Sequence, residues 1–78
     1  MSADPQSANL LEALREARLA AAKRVEPFKV FHDSTLREMA VCRPTTDEEF
    51  LAIKGVGPAK LKKYGERFME VIRKFGED

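Results

Sequence analysis

The stretch Phe50 to Tyr64, FLAIKGVGPAKLKKY, constrains this chain more than any other. It sets two glycines around one valine, between segments whose apolar residues recur at helical spacing. Gly55 stops the first helix. Pro58 opens the next, because proline lacks only the N–H that a first helical turn would leave unsatisfied anyway. Helices joined by so short a link fold back on one another, and Val56 is placed to turn inward as the plug between them. The chain has 78 residues, and a domain of this size buries only about 60% of its unfolded surface. The remaining segments must therefore pack closely on this pair.

Those segments also read as helices. Asp4-Pro5 fits an N-cap followed by proline at the first helical position, with Ser7 as the alternative cap. Leu10, Leu14, Ala17, Ala21 and Val25 then share a face, with Leu11 and Ala22 beside them, giving an amphipathic helix of about five turns that Pro27 ends. Residues 27–32, PFKVFH, carry Phe28, Val30 and Phe31. No other segment shows the alternation that would partner a strand, so this is a buried linker with a turn of 3₁₀ helix. Asp33 or Ser34 caps a short second helix with Leu36, Met39 and Ala40 buried, ending near Arg43-Pro44.

Thr46-Asp47-Glu48-Glu49 satisfies the capping-box pattern: Thr46 Oγ accepts from the Glu49 N–H while the Glu49 carboxylate reaches back to the Thr46 N–H. Phe50, Leu51 and Ile53 follow as the core face. In the last helix Leu61, Tyr64, Phe68, Ile72 and Phe75 line one side, flanked by Val71, and Gly65 kinks the helix or permits close packing on a neighbour. The expected fold is all-α, a compact orthogonal bundle of four to five helices with an embedded helix-hairpin-helix-like turn. Residues 1–6 form a flexible leader and residues 7–78 a single domain.

Charge limits the functions such a bundle can have. The net charge is +1, too small for a binder driven by bulk positive charge. Its distribution is uneven: residues 1–49 hold seven Lys/Arg against nine Asp/Glu, while residues 50–76 hold seven Lys/Arg against only Glu66 and Glu70. A phosphate-binding surface belongs in the C-terminal third. One cysteine, Cys42, and one histidine, His32, exclude an intrachain disulfide and a Cys/His zinc cluster. No Walker motif, nucleophile elbow or paired-carboxylate constellation is present, so no catalytic residue, metal or cofactor is expected. No apolar run approaches the roughly 20 residues of a membrane span, and residues 1–10 carry no secretion signal, so the expected location is cytoplasmic.

The Gly-Val-Gly turn carries the sharpest functional reading. Glycines remove Cβ bulk and let a phosphate approach the backbone; the amides of Gly55, Val56 and Gly57, ahead of a helix N-terminus, would aim donors at it. Lys54 precedes the turn, and Lys60, Lys63, Arg67 and Lys74 share a face of the last helix. Such contacts are sequence-independent and weaken with salt. Equally, the turn could be a plain interhelical link and the lysines a solvated face.

Four pieces of the sequence together resemble one family. LLEALREAR, F-x-D-x-TLREMA, RPTT and GVG-x-x-K-x-x-x-YGERFMEVI, spread over residues 10 to 74, resemble the HRDC domain, the helicase-and-RNase-D C-terminal module. The resemblance implies a five-helix bundle that acts as a non-catalytic accessory to a RecQ-type DNA helicase in repair and recombination, or to an RNase D exonuclease. The ending YGERFMEVIRKFGED looks more like RecQ. It further implies a bacterial, nucleoid-associated setting, weak binding to single-stranded or partly duplex DNA, contact with the catalytic core of the parent helicase, and a monomer. In bacterial RecQ relatives the aromatic after the linker proline is usually tyrosine and is implicated in DNA contact. Here that position is Phe28, flanked by Lys29; residue type favours burial, whereas an exposed ring could stack on a base.

Two functions follow. In the first, the hairpin and its cations hold phosphates, with Phe28, Lys29, Lys23 and Arg24 as a second patch. In the second, an acidic patch of Asp47, Glu48, Glu49, Glu66 and Glu70 docks on the catalytic core and regulates it. Arg18 borders the apolar face of the first helix and should pair with an acid that the sequence does not name. His32 reads as exposed or locally hydrogen-bonded, and Cys42 as an ordinary residue at a helix flank.

Overall fold

The computed structural model describes the backbone of residues 5–76 and the side chains of residues 8–75. Within them the chain forms α1 (Pro5–Ala21), α2 (Pro27–Val30), α3 (Asp33–Cys42), α4 (Asp47–Leu51) and α5, a continuous helix over residues 58–76. There is no strand among the described residues, and the fold is the expected all-α bundle. Residues 1–4 of the expected leader, and with them the expected Asp4 cap, lie outside the described residues; Pro5 and Gln6 are already helical, which places Ser7 inside α1 and not at its cap. No helix of the described residues is long and apolar enough to cross a membrane.

The α1 face is as its spacing requires: Leu10 and Leu14 are fully buried, and Leu11, Ala17, Ala21 and Ala22 pack against the core. Val25 does not belong to it. The helix stops at Ala21, where the Ala22 amide is shared between the Arg18 and Leu19 carbonyls at 2.9 and 3.2 Å, and Val25 sits 43% exposed in the loop beyond. Pro27 ends nothing; it opens α2. Its ring holds Glu26 extended (φ −69°, ψ 144°), and the chain turns there into a single α-helical turn in place of the expected 3₁₀ linker.

That turn sorts its apolar residues by direction. Val30 and Phe31 are fully buried, while Phe28 is 49% exposed, so the burial favoured by residue type is corrected. Phe31 leaves the helix in an extended conformation (φ −150°, ψ 144°) and becomes the aromatic hub of the core. Phe50, Tyr64 and Phe68 all meet it edge-on, at centroid distances of 6.1, 5.8 and 5.0 Å. Edge-to-face geometry sets the positive rim of one ring against the negative face of another.

The α3 cap differs from expectation. His32 occupies the N-cap position with no side-chain cap bond, because Asp33 is engaged elsewhere: Arg18 Nη1 lies 2.7 Å from its Oδ1 and also donates to the Phe31 carbonyl at 3.0 Å. The partner that Arg18 required is thus Asp33, and the pair ties α1 to the start of α3. At the other end Arg43 takes a left-handed φ of 51° and its N–H bonds the Met39 carbonyl at 2.8 Å, closing the helix before buried Pro44.

The Arg18 guanidinium, hydrogen-bonded to the Asp33 carboxyl and charged beside it, holds that group below its ordinary value. A carboxyl whose folded pKa is depressed contributes stability above its unfolded pKa, roughly 3.9, and loses it as pH falls through the folded value. Asp33→Asn should therefore melt below wild type at pH 7, and the gap should close in thermal melts taken below about pH 4. A gap unchanged at pH 2.5 would show that the pair has no linkage to folding.

The α4 cap is half as expected. Thr46 Oγ1 accepts from the Glu49 N–H at 3.2 Å, but Glu49 Oε1 accepts from the Thr45 N–H at 2.9 Å and not from Thr46. Because α4 has only five residues, Phe50 and Ile53 reach the core while Leu51 is left 40% exposed, contrary to its expected core position.

The last helix contains a feature that its spacing hid. Residues Leu61–Gly65 form a π-turn between the α-helical turn Pro58–Lys60 and the segment Glu66–Gly76. Its extra residue turns the preceding segment relative to the following one by about 100°. Met69 consequently joins Phe68 and Ile72 in the core, and Tyr64 and Leu61 become partly buried flanks. Gly65 serves this turn: a Cβ there would stand 2.6 Å from Leu61 Cδ1, a side chain of its own helix, so the close packing it permits is within α5 and not against a neighbour.

Candidate nucleic-acid interface

The turn between α4 and α5 is built differently at its two glycines. Gly55 adopts φ +95°, and a Cβ on it would lie 2.5 Å from Thr35 Oγ1. Thr35, buried in α3, donates that hydroxyl to the Lys54 carbonyl at 3.0 Å and so clamps the turn from below. Val56 is buried as the expected plug, at 8% exposure. Gly57 is extended (φ −105°, ψ 173°), and nothing lies within 4 Å of where a Cβ would be. Conformation therefore requires a glycine at 55, whereas at 57 its effect is to leave space at the mouth.

The Val56 amide donates to the Ile53 carbonyl at 3.1 Å. It is spent inside the turn, which corrects its expected role as a phosphate donor. The amides of Gly57, Ala59 and Lys60 remain at the opening of α5, where a helix leaves its first N–H groups without internal partners.

The cations do not share one face. Lys60 folds back so that its Nζ stands 5.6 Å from the Phe31 ring centroid, and Lys63 Nζ lies 5.5 Å over Tyr64. Lys54 is on the lip of a depression of about 270 Å³ that includes His32, Glu38 and Gly55. Lys63 and Arg67 turn towards the end of α1, where with Lys23 they line a second depression. Sequence proximity groups Lys23 instead with Arg24, Lys29 and Phe28, all exposed near α2. There the Phe28 ring stands 6.1 Å from His32 and Lys29 Nζ 3.9 Å from Glu26.

The acidic residues are also dispersed. Asp47, Glu48 and Glu49 crowd the first turn of α4, where they oppose the positive end of that helix. Glu66 and Glu70 alternate with Arg67 and Arg73 around a separate hollow on α5, and Arg73 donates to the Thr45 carbonyl at 3.2 Å. No group of three His, Cys, Asp or Glu among the described residues could hold a metal ion, and Cys42 is exposed at the end of α3. Thr35 and Tyr64 join the site without a sequence motif of their own; the one signal for the first is a threonine beside the core residue Leu36 in TLREMA.

The sequence model of the HRDC domain matches this chain over residues 7–72. The chain belongs to the HRDC domain family. It is 47% identical over 68 residues to the ATP-dependent DNA helicase RecQ of Bacillus subtilis, covering 85% of this chain and 12% of that protein. It is 40% identical over 78 residues to the ATP-dependent DNA helicase Q-like 4B of Arabidopsis thaliana, covering 90% of this chain and 7% of that one. Similarity extends to the ATP-dependent DNA helicase UvrD2 of Mycobacterium tuberculosis, 39% identical over 66 residues, covering 82% of this chain and 9% of the relative. The chain thus spans about a tenth of the helicases it resembles, and segments similar to it occur in helicases of both the RecQ and UvrD2 names.

Proposed function

We propose that this HRDC domain is the accessory, non-catalytic nucleic-acid-binding part of a RecQ-type DNA helicase, holding single-stranded or partly duplex DNA weakly through phosphate contacts that read no bases. One observation carries the reading: among the described residues Lys23, Lys54, Lys63 and Arg67 form no ion pair, although Glu66 and Glu70 line a hollow with Arg67. Cations without an ion pair are free to neutralise phosphates and release the counterions condensed on a nucleic acid. The half-exposed Phe28 ring beside Lys29 adds a surface on which a base can stack. The helicase names of the relatives support a helicase setting; a monomeric domain beside the parent's catalytic core, in the cytoplasmic nucleoid of a bacterium, belongs to the same proposal.

A second reading is favoured by α4, where exposed Leu51 follows exposed Asp47 and Glu48 on one short helix. An apolar residue rimmed by acids suits a basic protein surface, so docking on the helicase core is the alternative.

Fluorescence anisotropy of the 78-residue chain with a labelled 20-nucleotide strand and a forked duplex separates the two. Saturable binding that falls steeply between low and physiological salt is expected, and Lys54→Glu with Lys63→Glu should weaken it at least about tenfold. Lys60 is left alone because it packs on Phe31. Absence of binding even at low salt would overturn the nucleic-acid reading and leave docking.

A further inference from the structure

The depression between the end of α1 and the π-turn of α5 brings together residues some forty positions apart. Ala20, Ala21 and Lys23 come from one side, and Lys63, Tyr64 and Arg67 from the other, around a volume of about 250 Å³. We propose that this groove is a phosphodiester-binding subsite, distinct from the glycine turn, in which Lys23, Lys63 and Arg67 surround one backbone phosphate of a nucleic acid strand. The inference rests on the nucleic-acid reading above and assigns it a place.

Charge is the first argument. Three cations line the groove and no carboxylate does, whereas the neighbouring hollow on α5 alternates Glu66 and Glu70 with Arg67 and Arg73. None of the three cations has an ion-pair partner among the described residues. Gathering three like charges in one concavity costs electrostatic energy that an anion in their midst would relieve.

Shape is the second. The volume falls below the roughly 300–1,000 Å³ of pockets that enclose drug-sized ligands, which suits a phosphate group with its sugar better than a buried base. Ala20 and Ala21 form the α1 side, and their small side chains let an anion come close to the helix surface.

Positioning is the third. Tyr64 is held edge-on to the Phe31 hub at 5.8 Å and 67°, so its ring direction is fixed by the core. Its hydroxyl makes no hydrogen bond to another described residue and is available to donate to a phosphate oxygen. The π-turn creates this arrangement. In an uninterrupted α-helix Lys60, Lys63 and Arg67 would form one stripe at spacings of three and four; the extra residue diverts Lys60 onto Phe31 and leaves Lys63 and Arg67 facing α1. Single-turn π insertions cost hydrogen-bond geometry and recur at functional sites, so a surface that uses one is a candidate site in its own right.

The test is anisotropy of the 78-residue chain with a labelled 20-nucleotide oligodeoxythymidylate and with a duplex of the same length, for wild type, Lys23→Glu, Arg67→Glu and Tyr64→Phe. Lys23 and Arg67 are exposed, so circular dichroism should be unchanged. Each reversal should weaken binding about tenfold and reduce the slope of log affinity against log salt by about 0.7 on the single strand. Tyr64→Phe should cost about threefold to tenfold, the worth of one hydrogen bond. Arg37→Glu, an equal charge change on α3 outside the groove, should cost less than threefold. Binding by wild type that Lys23→Glu and Arg67→Glu leave intact would overturn the groove while the nucleic-acid reading stands. No binding by wild type would overturn both. Displacement of the oligonucleotide by polyglutamate at equal charge concentration would overturn the groove as a phosphate site and assign it to acidic peptides.

Discussion

Phe31→Ala should leave the domain largely unfolded at 25 °C, while Phe28→Ala, three residues earlier, should cost under about 0.5 kcal/mol. Phe31, in the turn after α2, is fully buried with three rings packed edge-on against it, one from α4 and two from α5. Truncating a buried phenylalanine removes transfer energy and leaves a cavity, together about 3–5 kcal/mol. A single small core supplies no more than about 3–5 kcal/mol of net stability, so the loss matches the whole. Lys60 would lose the ring beneath its ammonium, and the Tyr64 ring its edge contact, so the groove should fail with the fold. Urea denaturation followed at 222 nm measures the difference. Equal midpoints for the two variants would show that Phe31 is not the hub.

The opposite fates of these two phenylalanines mark where the sequence stops being legible. Both are apolar, both lie in one six-residue segment, and residue type favours burial for each. What separates them is backbone direction: α2 closes after Val30, and the extended conformation of Phe31 turns its ring into the bundle while Phe28 stays on the outer side of the turn. Local pattern determines which residues recur on a helix face, as for Leu10, Leu14, Ala17 and Ala21 on α1. It determines caps that close within four residues, as for Thr46 and Glu49, although even there the carboxylate reached Thr45 instead.

Contacts over longer separations escaped. Arg18 needed an acid and found Asp33, fifteen residues on, because α2 folds the chain back over the end of α1. Chain order sets Lys23 among Arg24, Phe28 and Lys29, yet it lines a depression with Lys63 and Arg67. The π-turn left no mark in the apolar spacing except Met69, which sits next to Phe68 in sequence and beside it in the core. The candidate site was therefore legible in composition, as a basic C-terminal third, and illegible in arrangement, because one extra helical residue redistributes its cations.

The glycine turn offers the sharpest contrast between two positions that the sequence treats alike. Gly55→Ala should destabilise by about 2–4 kcal/mol. A non-glycine residue held at positive φ costs about 1–3 kcal/mol, and its Cβ would displace the Thr35 hydroxyl from the Lys54 carbonyl, losing roughly another 1 kcal/mol. Gly57→Ala should be neutral or stabilising by about 0.4–1 kcal/mol, since its φ of −105° suits alanine and its surroundings are open. The clash at Gly55 has an identified partner, which makes the mechanism testable beyond the size of the effect. Thr35→Ala removes Oγ1, the atom 2.5 Å from the new Cβ. In the Gly55→Ala background it should cost less than in wild type, a positive coupling of about 0.5–1 kcal/mol in a double-mutant cycle. Additive losses would mean that φ strain alone governs position 55. Because Gly57→Ala keeps the fold, it also isolates the mouth of the turn: loss of oligonucleotide affinity without loss of stability would place a phosphate against the α5 amides as well as in the groove.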